Sequence, residues 1–210
     1  MRGILMSGGN GLAVYEGRKT QTRRVIVPQQ ENVARCPYGK VGDRLYIREA
    51  GWMWGHWKKN GTTKTGRQKW IFEVQERCRS VVGPAVLFTR PDHVIKRDGV
   101  GEGWVYRHAR FMPRWAARSI VELTDVRVER VQDISEADAI AEGMIRASDL
   151  NNEYHGWHYS ERWVSISVQS QTAKDAFSRL WDSINAARGY GWAVNPFVWA
   201  LTFRRVEDGQ

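Results

Sequence analysis

The chain has 210 residues, with 32 Lys+Arg against 23 Asp+Glu, for a formal net charge of +9. At this length about two-thirds of the unfolded surface can be buried, so a core forms without disulfide or metal staples, and 42% hydrophobic with 26% charged residues excludes wholesale disorder. No apolar stretch approaches the roughly 20 residues of a membrane helix, and Ile4-Leu5-Met6 is too short for a signal-peptide core, so the sequence reads as cytoplasmic with no membrane partner.

In chain order, the apolar run at residues 3–7 stops at Gly8-Gly9-Asn10-Gly11. Asn10 is placed to cap a brief helix through Leu12, Ala13, Val14 and Tyr15, with Gly17 as a left-handed terminator. The glycines lack both the Gly-Lys-Ser/Thr ending of a phosphate loop and the G-x-G-x-x-G spacing, and are read as a turn. A basic, hydroxyl-rich segment follows: Arg18-Lys19-Thr20-Gln21-Thr22-Arg23-Arg24. Residues 39–50 read as a turn feeding a strand, with Leu45 and Ile47 on one face and Arg44, Tyr46 and Arg48 on the other. Cys36 and Cys78 are the only cysteines, which indicates neither a disulfide scaffold nor a cysteine-rich zinc site. No cofactor and no metal is expected.

From Gly51 to about Met112 the pattern loosens into Gly, Lys and Trp with short β-like pieces such as Trp70–Val74. This predicts one domain with its core at 1–50 and 110–206 and an insertion of loops and short strands at about 51–110. Residues 1–118 hold 16 Arg and 7 Lys against 9 acids, a charge of +14, whereas residues 119–210 carry −5. The positive field therefore belongs to the first half, which also holds Trp52, Trp54, Trp57, Trp70, Trp104 and Trp115. Arginine forks suit phosphate oxygens, and cations interleaved with rings are what a single-stranded nucleic-acid surface needs. Arg48 and the group Arg114, Trp115 and Arg118 are candidates for such a surface.

The second half is better patterned. Ser119–Val131 is β-rich, but Val121 and Leu123 occupy odd positions and Val126 and Val128 even ones, which predicts a bulge or bend near Thr124. Ser135 with Asp138 opens a short helix that Gly143 ends. Thr172 with Asp175 opens another, with Ala176, Phe177, Leu180, Trp181 and Ile184 on one face. His155-Gly-Trp-His158 lacks a third ligand and reads as a loop rather than a metal site. Phe197–Phe203 is apolar on both alternating faces, as an interior strand should be. The fold class is α+β, a small barrel rather than a doubly wound sheet.

The segment that begins Glu16-Gly17-Arg18-Lys19-Thr20-Gln21-Thr22-Arg23 resembles the E-G-x-K-T-x-T-x-R signature of ASCH domains, in the PUA-like superfamily. Gly42-Asp43 with the apolar strand after it is similar to that family's second block. Met112-Pro113-Arg114-Trp115 and the strand ending in Gln132-Asp133-Ile134-Ser135 look like its longer phage and prophage branch. The resemblance touches 1–50 and 110–206. It implies a small, partly open β-barrel flanked by short helices, a cleft for RNA or a nucleoside, and the host cytoplasm as location if phage-encoded. Some members are amidohydrolases acting on N4-acetylcytidine and others ribonucleases. The amidohydrolase groups, a Lys-x-x-Thr pair and a later glutamate, match Lys19, Thr22 and Glu142.

The chemistry is coherent on its own terms. Amide hydrolysis needs a nucleophile, a base and a donor for the oxyanion. Thr22 supplies a hydroxyl, Glu142 a carboxylate, and Lys19 an amine pushed toward neutrality by Arg18, Arg23 and Arg24. Whether Thr22 attacks directly or positions a water stays open. The first expectation is a binder of RNA, single-stranded nucleic acid or a modified cytidine nucleoside, through Arg18, Arg23, Arg24, Arg48, Arg114, Trp115 and Arg118. The second is an amidohydrolase or ribonuclease of the same fold. The third is a non-catalytic phage protein whose Trp-rich insertion contacts a host protein.

Overall fold

The computed structural model describes residues 1–33, 35–75, 94–96, 101–146, 157–159 and 170–206. Its elements are β1 (Arg2–Leu5), α1 (Gly8–Tyr15), β2 (Gln21–Val25), β3 (Arg44–Arg48), β4 (Gly51–Thr62), β5 (Gln68–Val74), β6 (Glu102–Arg107), β7 (Ile120–Arg130), α2 (Glu136–Ala141), β8 (Met144–Arg146), β9 (Trp157–Tyr159), α3 (Ala173–Asn185) and β10 (Phe197–Val206). The class is mixed α+β. The chain forms two compact units, one of Met1–Ile4, Gly9–Tyr46 and Ser119–Gln210, the other of Leu5–Gly8 and Ile47–Arg118.

The first unit is organised by a five-stranded sheet in the order β1-β3-β7-β10-β2. Strand β10 is apolar on both faces because it lies between β7 and β2: Val198 and Ala200 are buried on one side, Trp199, Leu201 and Phe203 on the other. The sheet ends in edges at β1 and β2 and does not close into a barrel. On β7 the pairing with β10 passes from Asp125 opposite Thr202 to Leu123 opposite Phe203. Thr124 is thus the extra residue, and the bulge moves the apolar residues of β7 from even to odd positions.

Hydroxyl caps start both helices of the second half. Ser135 Oγ accepts from Asp138 N at 3.0 Å, and Thr172 Oγ1 from Asp175 N at 3.1 Å. Helix α3 buries Ala173, Ala176, Phe177, Leu180 and Trp181 in a core with Val131, Ile134, Ala139, Met144 and Val198. Phe177 and Leu180 contribute about 1.5–3 kcal/mol each by leaving water. Ile184, expected on that face, is 52% exposed. The 3.6-residue period brings Asn185 inward instead, where its Nδ2 donates to Trp181 O at 3.2 Å.

Two expectations near the N-terminus are corrected. Helix α1 begins at Gly8, so the glycines are helical and Asn10 lies inside the helix rather than capping it. Burial of Ala13 and Val14 supplies what the glycine run lacks in helix propensity. Gly17 ends the segment with φ +77°.

The second unit holds a three-stranded sheet in the order β5-β4-β6. The loosened pattern expected from residue 51 contains a continuous 12-residue strand, β4. Its small residues disguise the alternation: Gly51, Met53 and Gly55 are buried while Trp52, Trp54 and His56 are half-buried. A Cβ on Gly55 would stand 2.0 Å from Glu73 O, so only glycine allows β5 to approach. Met53, Phe72, Trp104, Met112 and Ala116 form this unit's core. Among the described residues no helix is long and apolar enough to cross a membrane.

Candidate active site: a buried lysine–glutamate pair

The segment after α1 is fixed by its backbone before any side chain acts. Arg18 N and Lys19 N both donate to Ala13 O, at 2.9 and 3.0 Å, and Thr20 N donates to Ala141 O at 2.8 Å. Lys19 is therefore held between the C-terminal ends of α1 and α2. Gly143, at φ +98°, lets the chain leave α2 beside it, the position of a Cβ there lying 3.5 Å from Lys19 Cβ.

Lys19 Nζ donates to Glu142 Oε2 and, at 2.7 Å, to the backbone carbonyl of Glu142. The two side chains are only 2% and 5% exposed. Burial pushes the Lys19 amine below the ordinary lysine range; Glu142 opposes this, while Arg24 and Arg23 add to it. Glu142 closes α2, where the helix dipole disfavours a carboxylate. Hydrogen bonds from Lys19 Nζ offset that penalty and satisfy a terminal carbonyl as well.

Strand register sorts the rest of β2 between the two faces of the sheet. Gln21, Arg23 and Val25 lie opposite Thr202, Ala200 and Val198, while Thr22 and Arg24 lie opposite Leu201 and Trp199. Directly paired residues share a face, so Val25, with Val198 in the core that α3 packs on, puts Arg23 on that helix side. Thr22 and Arg24 occupy the other face.

Arg23 is fully buried on the helix side and surrounded by acceptors. Its Nε donates to Glu129 Oε1 at 2.7 Å, Nη2 to Asp138 Oδ2 at 3.2 Å, and Nη1 to Gln21 Oε1 at 3.2 Å and Glu142 Oε1 at 3.4 Å. Arg127 completes the cluster through Asp125, Glu129 and Asp138, at 2.7, 2.9 and 3.1 Å. Burial raises the Asp138 carboxyl, but the Gln21 hydrogen bond and the cations Arg23 and Arg127 outweigh it and hold it below the usual carboxylate range. Sequence reasoning missed Gln21, Asp125, Arg127, Glu129 and Asp138. The available signal was alternation: in a strand beginning at Gln21, positions 21 and 23 share a face.

The structure thus brings Lys19 and Glu142 together, with Arg23 touching the same carboxylate. Thr22 is 5% exposed, on the face opposite Arg23 and shared with half-buried Arg24. Arg18 is partly exposed and donates to Glu16 Oε2 at 2.8 Å. Burial draws the Arg24 guanidinium down against the pull of Tyr38 and Glu142.

Four candidates belong to the second unit. Arg48 Nη2 donates to Arg110 O, and Arg114 is exposed. Trp115 packs half-buried against the Met53 core instead of standing free, because its 3-10 turn carries Ala116 inward. Arg118 forms a fork with the fully buried Glu49, at 2.9 and 2.7 Å. Burial raises the Glu49 carboxyl while Arg118 restrains it. Among the described residues no three His, Cys, Asp or Glu groups gather as a metal site; His155 lies outside the described residues, and only the backbone of His158 is described.

No family model matches the chain, and no curated protein matches it. Among solved structures the chain is similar to a protein from Enterococcus faecalis V583 described under the family-model name DUF984. The TM-score is 0.40 at 13% identity, with 100% of this chain and 84% of that one covered.

Proposed function

We propose that this chain is an ASCH/PUA-like protein that takes a modified cytidine, free or within RNA, and hydrolyses its N4-amide. The observation that carries the reading is the Lys19–Glu142 pair, buried at 2% and 5% exposure at the start of the strand that bears Thr22. A buried ion pair is weak evidence for stability alone. A lysine moved toward neutrality beside a carboxylate has the pKa pattern of an acid–base site.

In this reading neutral Lys19 accepts the proton of the attacking hydroxyl, that of Thr22 or of a water Thr22 orients. The oxygen adds to the amide carbon, and Arg24, on Thr22's face of the sheet, faces the oxyanion. The C–N bond then breaks, and the proton held on Nζ passes to the cytosine amine. If Thr22 is the nucleophile, water hydrolyses the acyl-threonine and regenerates the hydroxyl.

A second reading, binding without turnover, is favoured by one observation: two of the three Lys19 donors are already engaged by Glu142. Release of acetate from N4-acetylcytidine separates the two. Turnover by the wild-type protein, lost in Thr22→Val with an unchanged melting temperature, supports hydrolysis. RNA binding without acetate release supports the binder.

A further inference from the structure

The face of the sheet that carries Thr22 and Arg24 also carries Trp199, opposite Arg24, and Val126, opposite Leu201. Trp199 and Val126 form the floor of a cleft of about 620 Å³, whose walls include Arg2, Arg35, Lys40 and Asp43. That volume lies within the roughly 300–1,000 Å³ typical of small-molecule sites, where an apolar floor with a few convergent polar groups is the usual arrangement.

Several cations elsewhere in this unit are already paired with acids: Lys19, Arg18, Arg23, Arg127 and Arg204 each face a carboxylate. Arg35 and Lys40 are exposed and form no ion pair among the described residues. Arg2 donates Nη1 to Pro37 O at 2.7 Å, which ties it to the loop bearing Arg35 and leaves its other donors for a ligand. Asp43, the acid in the wall, holds the turn: its Oδ2 accepts from Lys40 N at 3.0 Å.

We infer that this cleft binds a phosphorylated nucleoside, its heterocycle against the Trp199–Val126 floor and its phosphate among Arg2, Arg35 and Lys40. The inference rests on the nucleoside reading above and adds that the preferred ligand is a nucleotide. Arginine and lysine on a phosphate dianion form charge-assisted hydrogen bonds that a free nucleoside cannot make.

The test is calorimetric titration of the full chain with cytidine, cytidine 5′- and 3′-monophosphate and inorganic phosphate, on wild type and the Arg35→Ala/Lys40→Ala double variant. Both substitutions are on exposed side chains, and the melting temperature reports folding. The expected result is at least tenfold tighter binding of one monophosphate than of cytidine, a preference that the double variant loses. Equal affinity for nucleotide and nucleoside, an unchanged preference in the double variant, or phosphate alone binding as tightly as the nucleotide overturns it. Trp199→Phe keeps an aromatic floor and is expected to weaken nucleotide and nucleoside alike; an unchanged affinity for both overturns the floor assignment. Acetate release from N4-acetylcytidine reads the hydrolytic proposal separately, so either proposal can fail while the other stands.

Discussion

At the residue scale, the chemistry turns on whether Lys19 gives up its proton more readily than an exposed lysine. Burial favours its neutral form and Glu142 resists. Turnover is expected to rise with pH as Lys19 deprotonates, with a midpoint below the ordinary lysine value of about 10.4; a pH–rate profile that is flat up to that value would contradict it. Removing Lys19 alone leaves a buried carboxylate with Arg23 as its remaining partner at 3.4 Å. Lys19→Met is therefore expected to cost about 3 kcal/mol, and Lys19→Met with Glu142→Gln distinctly less, as measured by chemical denaturation. Asp138 provides the acid limb. Its folded pKa lies below the unfolded value of about 3.9, so the stability it contributes is present above that value and disappears as pH falls through the folded one. Asp138→Asn is expected to flatten the decline in denaturation midpoint below about pH 4.

At the element scale, the site depends on how α2 ends and how β2 alternates. Gly143 adopts φ +98°, so Gly143→Ala is expected to cost about 1–2 kcal/mol through backbone strain. Because Gly143 adjoins Lys19, the same variant should lower turnover as well; denaturation and acetate release check the two effects. Much of this scaffold was legible in the sequence. The Ser135 and Thr172 caps and the interior character of β10 follow from local chemistry, and the phase change across Thr124 identified the bulge because a one-residue insertion moves every apolar side chain to the other parity. What was not legible depended on partners distant in sequence. The glycine run of α1 is helical because Ala13 and Val14 are buried, and β4 was obscured because half its alternation is written in glycine and tryptophan. Arg23 reads as a solvated cation until three acidic residues from β7 and α2 are brought onto it. The pairing of Lys19 with Glu142, 123 residues apart, was reachable only through the resemblance.

At the scale of the whole molecule, the uneven charge of the sequence is partly cancelled by folding. The first-half basic residues Lys19 and Arg23 are engaged by Glu129, Asp138 and Glu142 from the acidic second half. The net charge of +9 thus overstates the cations free to meet a polyanion, although exposed groups such as Arg35, Lys40 and Arg114 remain. Binding of single-stranded RNA is expected to weaken linearly in log affinity against log salt, with a slope set by the few phosphates engaged. Fluorescence anisotropy across salt concentrations measures that slope, and an affinity indifferent to salt would contradict an electrostatic mode.

Whether the buried pair serves a reaction is decided by acetate release from N4-acetylcytidine, measured on wild type and on Thr22→Val at equal melting temperature. Release by the wild type and a loss of about 100-fold or more in the variant are expected, the scale that follows when a positioned hydroxyl and its base are uncoupled. No release by the wild type, or equal release by both proteins, would contradict that expectation.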